Sequence, residues 1–266
     1  MGALEAGPRP NGRFPRWVRR EDVPVGPLPP VPRCFCPPKS EGDGWHWLQP
    51  FVDIRSGKPV NERSRFAVAW DAEHLYAIFE FVDAHREATA TEPGTHVYRY
   101  DTTAELFVGG PRGYYEIGLN SIGVSYQVAW WWVEPLVRSS DMQAIDRLFR
   151  LPNFLYYLPR RGEVMGRVGD LDFALEGLEQ RVAWSDLGGD PGWTARLALP
   201  WASLGPLLGF DAATVASGMD LRVQGMRANP ARSGRSPSTW TWSVQGNDDV
   251  HNPERWGRVT LVDSFI

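Results

Sequence analysis

The residues of this chain that could do chemistry are carboxylates set beside aromatic rings. Asp83 closes the run Phe66 to Asp83, and Glu105 sits inside the strand-like segment Ala104 to Val108. Two further acid pairs stand close in sequence, Asp101 with Glu105 and Asp248 with Asp249, and Trp130-Trp131-Trp132 is the densest aromatic run. Paired carboxylates can serve as acid and base in glycoside cleavage. Carboxylates among aromatic rings can also hold a sugar, whose apolar C–H faces stack on rings and whose hydroxyls need charged or amide partners. The five histidines, His46, His74, His85, His96 and His251, are scattered. There is no Gly-x-Ser-x-Gly elbow, His-Glu-x-x-His motif, phosphate loop or dinucleotide fingerprint.

The elements that must position these residues are strands. FAVAWDAEHLYAIFEFVD is two β-favouring runs joined by the polar break Asp71-Ala72-Glu73-His74, which predicts an antiparallel hairpin. Alternation puts Phe66, Val68 and Trp70 on one face of its first arm and Leu75, Ala77, Phe79 and Phe81 on one face of the second. Further strands are expected at Ala104 to Val108, Tyr114 to Asn120, Val124 to Trp130, Trp193 to Leu199, Leu221 to Met226, Trp240 to Val244 and Gly257 to Val262. Two short helices are expected, Ser140 to Phe149 behind a serine N-cap and a turn at Trp201 to Leu204 after Pro200. Many short strands separated by Gly, Pro, Asn and Asp predict an all-β fold, an immunoglobulin-like or jelly-roll sandwich of antiparallel strands. Alternation sets Glu105 on the face opposite Ala104 and Leu106, and leaves open which face meets the cleft. It also separates Trp131 from Trp130 and Trp132, so Trp131 is a candidate outward ring. Trp240 and Trp242 share a face and are expected in the core with Trp70 and Trp193.

Up to about Gly44 the chain is rich in proline, with Pro24, Pro27, Pro29, Pro30 and Pro32 close together. Such a run resists helix and central strand, so residues 1–44 read as an extended N-terminal segment and 45–266 as one β domain. The 266 residues are 42% hydrophobic and 23% charged, as in a soluble globular protein. A formal net charge of -4 and a pI near 5.8 give no electrostatic pull toward nucleic acid or an anionic membrane. No apolar run reaches membrane-spanning length, and the N-terminal residues lack the apolar core of a secretion signal. As written, the sequence reads as cytoplasmic, and as secreted if its true start lies elsewhere. Cys34 and Cys36 are one residue apart, without metal-site partners, and are expected as reduced thiols.

Five segments in order, WDAEHLYAIFEFVD, YDTTAELFV, YYEIGLNSIG, GWTARLALPWASL and HNPERWGRVTLV, resemble a family 9 carbohydrate-binding module from about Trp45 to Val262. The resemblance implies a sandwich that grips a mono- or oligosaccharide in a cleft, without catalysis, in support of carbohydrate catabolism. It implies Asp83 and Glu105 as acceptors for sugar hydroxyls, Tyr98 as a stacking ring with Tyr100 beside it, and Gln224 and Asn247 as amides near the last strands. Arg227 or Arg235 would supply a guanidinium. Where a second stacking ring is implied, before Pro253, this chain offers Val250 or His251. Trp131 could stand in for that ring. Structural calcium is also implied, with Asn247-Asp248-Asp249 offering hard oxygen ligands. The residues leave other readings open. Asp83 equally suits the cap of a turn, and Glu105 an ion pair with Arg99 or Arg227. A glycoside-active enzyme would use the paired carboxylates, and a haem-binding sandwich would use Met226 with His96 or His251. A protein-interaction domain would show an exposed apolar patch.

Overall fold

The computed structural model describes residues 29–39, 45–85, 88–138, 140–157, 163–231 and 236–263. The strands among them are β1 (Arg33–Cys36), β2 (Val52–Asp53), β3 (Ser64–Trp70), β4 (His74–Val82), β5 (Thr103–Gly109), β6 (Gly113–Asn120), β7 (Ser125–Arg138), β8 (Phe154–Tyr157), β9 (Glu163–Asp170), β10 (Glu179–Asp186), β11 (Pro191–Pro200), β12 (Asp220–Asn229), β13 (Ser238–Thr241) and β14 (Gly257–Leu261). Two short helices, α1 (Met142–Leu148) and α2 (Trp201–Leu208), complete them. The larger sheet runs β1-β14-β12-β5-β6-β7-β9-β8, with β13 on β12 and β2 on β13, and the smaller runs β10-β11-β4-β3. The chain is thus an all-β sandwich, antiparallel apart from the parallel pairing of β1 with β14.

Local chemistry explains the first hairpin. Asp71 Oδ1 accepts from the amides of Glu73 and His74, both at 2.8 Å, and its Oδ2 accepts from the Tyr76 hydroxyl at 2.7 Å. That side chain satisfies the turn, and the arms pair from Ser64 opposite Phe81 to Trp70 opposite Leu75. The expected face of Phe66, Val68, Leu75, Ala77, Phe79 and Phe81 is fully buried between the sheets. There Phe51, Phe66, Phe79, Phe81, Trp193 and Trp242 form a continuous aromatic cluster, with Phe66 stacked on Phe79 at 4.8 Å and Phe81 edge-on to Trp193 at 5.1 Å. Trp70 and Trp240 lie in the same core.

Three departures from the sequence reading have local causes. The N-cap of α1 is Asp141, whose Oδ1 accepts from the Ala144 amide at 2.9 Å, not a serine; either residue type can hold that amide. Residues 33–36, in the proline-rich stretch, form an edge strand along β14 and deliver Cys36 to the core. Pro32 ends where β1 begins, so the ladder loses no donor. Strands β8, β9 and β10 were not expected: β8 has 4 residues, β9 (EVMGRVGD) is interrupted by glycines, and β10 (EQRVAWSD), at an edge of the small sheet, carries charged residues that blur the alternation.

Candidate functional site

Alternation in the large sheet sorts its side chains onto two faces. Ala104, Leu106 and Val108 of β5, Tyr115, Ile117 and Leu119 of β6 and Val223 of β12 face the small sheet. Phe107, Tyr114, Tyr126, Val128, Trp130, Met226 and Ala228 face the other way, beneath Val97, Val250 and Trp256. Glu105 and Glu116 share this outer face, since each lies two residues from one of its members.

Here a cavity of about 240 Å³ opens, near the lower end of small-ligand pockets, about 300–1,000 Å³. Four acids, Glu105, Glu116, Asp248 and Asp249, reach it together with the rings of His96, Tyr98, Trp130 and His251. Leu155, Leu171, Met226 and Val250 supply apolar wall.

The two glutamates form its buried floor, at 1% and 5% exposure. In the ladder Glu105 stands opposite Gly118 and Gly118 opposite Tyr126, so Glu105 and Glu116 are diagonal neighbours across β5 and β6. A Cβ at residue 118 would lie 2.2 Å from Tyr126 Cε1, so only glycine lets the tyrosine ring lie over the sheet. The Tyr126 hydroxyl then donates to Glu116 Oε1 at 2.8 Å, and Trp130 Nε1 donates to Glu116 Oε2 at 2.7 Å. A second glycine seats that indole, because a Cβ at Gly169 would lie 2.6 Å from Trp130 Cζ3. Glu105 Oε1 accepts from Thr103 Oγ1 at 2.7 Å.

Burial and the proximity of Glu116 push the Glu105 carboxyl up to about 8, against the pull of hydrogen bonds from Thr103 and Tyr126. Glu116 is raised by burial too, opposed by the Trp130 and Tyr126 donors and by Arg167. Arg167 is itself buried, with its guanidinium 5.2 Å from the Trp130 ring centroid and 5.8 Å from that of Tyr114. Its Nη1 donates to the His251 carbonyl at 3.5 Å. Burial and then Arg167 hold His251 well below the usual imidazole range, and its Nδ1 lies 2.8 Å from the Tyr114 hydroxyl. His96, stacked on Tyr126 at 4.7 Å, is lowered by burial and by Arg99.

Of the residues singled out from sequence, Glu105 and Tyr98 line the cavity, and so do Val250 and His251, which occupy the place of the second ring. Tyr98 sits in a 3-10 turn (Val97–Arg99), not a strand, so Tyr100 does not share its face and is 53% exposed. Asp83 and Arg227 lie on the opposite side of the large sheet. Arg227 is one residue from Met226 and Ala228, so its side chain points between the sheets, where Nη1 donates to Ser64 Oγ at 3.0 Å and the Val82 carbonyl at 2.9 Å. Its Nη2 binds Glu62 Oε2 at 3.0 Å and lies 3.7 Å from Asp83 Oδ2. Asp83 also caps a turn, with Oδ1 accepting from the His85 amide at 2.9 Å. Both residues thus bind each other's region of the core instead of the cavity.

Gln224 is fully buried and clamps Ser243, accepting from its amide at 2.9 Å and donating to its carbonyl at 2.7 Å. Trp131 is 43% exposed as alternation required, yet for the same reason it points to the face opposite Trp130 and the cavity. Asn247 is in the loop beside the rim acids and accepts from the Asp249 amide at 3.0 Å. Arg235 lies outside the described residues. Met226, His96 and His251, the candidates of the haem reading, all reach the cavity. The oxygens offered for calcium are engaged locally, Asn247 as above, Asp249 Oδ1 on the His251 amide at 2.9 Å, and Asp248 on Arg55. No group of three or more His, Cys, Asp or Glu placed for a metal ion occurs among the described residues.

Sequence reading missed Glu116, Tyr126, Trp130 and Arg167. A signal for Glu116 existed in GYYEIGLN, where Tyr115, Ile117 and Leu119 alternate with Tyr114, Glu116 and Asn120. A charged residue centred in such a strand marks the face turned from the apolar core.

No family model matches the chain, and no curated protein matches it in sequence. Among solved structures it is similar to a candidate carbohydrate-binding protein from Bacteroides uniformis, at TM-score 0.54 and 14% identity over 87% of this chain and 97% of that one. It is also similar to a carbohydrate-binding module of family 9 from Caldicellulosiruptor kristjanssonii in complex with cellotriose, at TM-score 0.50 and 14% identity over 88% of this chain and 95% of that one. At that identity the likeness establishes the two-sheet fold.

Proposed function

We propose that the outer cavity of the large sheet binds a mono- or oligosaccharide and carries out no reaction on it. The observation that supports this most is the pair of buried carboxyls, Glu105 and Glu116, on the floor of a cavity walled by Tyr98, Trp130 and two neutral histidines. Carboxyl and imidazole groups meet sugar hydroxyls, and the rings meet C–H faces. The ordered sequence segments and the cellotriose-bound structural neighbour agree with a family 9-like module and with a role beside carbohydrate breakdown. Binding without catalysis fits Glu116, both of whose oxygens already accept hydrogen bonds, from Tyr126 and Trp130. A glycosidase pair instead needs one carboxyl free to protonate the leaving group and another free to attack or to activate water.

Trp130 makes the test direct, because its indole is in the wall. Titration of tryptophan fluorescence with a panel of mono- and oligosaccharides, with hydrolysis followed in parallel, should show saturable change and no cleavage. Glu105→Gln and Glu116→Gln should each weaken that response while the fold, followed by circular dichroism, persists. Saturation unaffected by both substitutions would move the site elsewhere, and cleavage would replace the binding reading by catalysis.

A further inference from the structure

The cavity carries an excess of acidic groups. Four carboxyl groups reach it, Glu105, Glu116, Asp248 and Asp249, and among the described residues no lysine or arginine lines it. Two of these acids already have a cation beside them. Arg55 pairs with Asp248 at the surface, Arg99 donates to the Tyr98 hydroxyl at 3.3 Å, and Arg167 lies behind Trp130, where it acts on Glu116. Glu105 accepts from one neutral hydroxyl, Thr103, and lies near a second, Tyr126, whose proton goes to Glu116, although Glu105 is 1% exposed. With its value at about 8, this buried carboxyl keeps a proton near pH 7 until a counter-charge replaces that proton. The imidazoles of His96 and His251 cannot supply it, because burial and neighbouring arginines keep both neutral near pH 7.

Asp83, also deeply buried, has Arg227 at 3.7 Å. Asp101, 3% exposed, has no cation beside it among the described residues, but the amides of Thr89, Ala90 and Asn120 satisfy both its oxygens, whereas Glu105 meets a cavity. Rings line the same space, and the π-faces of Trp130 and Tyr98 attract cations as well as C–H groups. Each feature is accounted for by one ligand that presents an apolar ring face and a positive charge.

We propose that the saccharide bound in this cavity is an amino sugar, its ammonium placed at Glu105 and Glu116 and its ring against Trp130 and Tyr98. This rests on the saccharide reading above and narrows it. An ammonium carries three donors and a full charge, which matches two adjacent acceptors better than a single hydroxyl does. An N-acetylated sugar keeps the ring and loses the charge, and a neutral sugar keeps only hydroxyls.

Isothermal titration of the whole protein at pH 7 and low salt separates the possibilities. Glucosamine, galactosamine, glucose, galactose, N-acetylglucosamine and tetramethylammonium are titrated in turn. The expected result is at least about tenfold tighter binding of an amino sugar than of its neutral and N-acetylated counterparts, about 1.4 kcal/mol. Glu105→Gln should reduce that preference to less than about threefold. If a neutral sugar binds as tightly as its amino counterpart, the amino-sugar assignment is overturned while the saccharide reading stands. If tetramethylammonium matches the amino sugars, the cavity is a cation cage and both readings fall. Both also fall if none of these compounds binds. The wild-type comparison decides between these results even if the substituted protein does not fold.

Discussion

Asp83 with Arg227, and Glu105 with Glu116, are two buried acid sites on opposite faces of one sheet, and they differ in what balances their charge. Asp83 lies in the inter-sheet space against a guanidinium that also holds Glu62, Ser64 and the Val82 carbonyl, and that sits 5.0 Å from the Phe81 ring and 4.8 Å from that of Trp240. Its charge is answered from within the protein, so the site joins strands of both sheets. Glu105 and Glu116 have hydroxyl and indole donors and, among the described residues, one cation nearby, Arg167, and they open onto a cavity. In place of a guanidinium, Glu105 holds a proton near pH 7. Burial of an acid is thus a weak guide to function until the partner is known.

The sharpest way to break this contrast is at Arg227. Arg227→Ala leaves Asp83 as a buried carboxylate without its guanidinium and should cost about 3–5 kcal/mol in denaturant unfolding. Sugar affinity, measured on the protein that remains folded, should change little. A loss of binding equal to that from the cavity substitutions would show the two faces to be coupled.

Glu105→Gln and Glu116→Gln come next and should do the reverse. Each is expected to lower saccharide affinity by about tenfold or more, roughly 1.4 kcal/mol, with stability held or raised. Glutamine fills the same space and cannot ionise. A substituted protein that unfolds would assign the pair a structural role like that of Asp83.

A smaller effect should follow pH. Glu105 has a folded value of about 8, above its ordinary 4.5, so the folded protein holds a proton there that the unfolded chain has lost. Its contribution to stability is complete below 4.5 and is lost as pH rises toward 8. Melting temperature should therefore decline across that window, and Glu105→Gln should flatten the decline. Glu116, raised in the same direction, adds to the slope, and identical curves for the two proteins would remove Glu105 as its source.

The smallest effect is expected at Trp131. Trp131→Ala removes a ring that is 43% exposed and points away from the cavity, so stability should move by about 0.5 kcal/mol or less and sugar quenching should persist. Loss of quenching would return Trp131 to the site.

Much of the fold could be read in the chain. The hairpin around Asp71 and the strands holding Glu105, Tyr114 and Trp193 follow from alternation and turn chemistry, both of which act between near neighbours. Strands β8, β9 and β10 were not legible, because β8 is short, β9 is interrupted by glycines, and β10 is an edge with one partner and a solvated side that tolerates polar residues. Of the residues that the sequence singled out, Glu105 and Tyr98 line the cavity, while Asp83, Arg227, Gln224 and Trp131 do not. Their residue types were right for a sugar, but type says nothing about which face of a sheet a partner occupies.

The sequence by itself determined which residues alternate together, that Trp131 must oppose Trp130, and that Glu105 must oppose Leu106, since the pleat imposes a period of two on every strand. Only the tertiary structure decided that the small sheet covers the Leu106 face, and so left Glu105, Glu116 and Trp130 facing a cavity while Asp83 met Arg227 in the core. That choice depends on contacts between segments far apart in the chain, such as His251 on Tyr114 and Arg227 on Ser64. Such pairings arise from packing the two sheets together, and no local pattern encodes them.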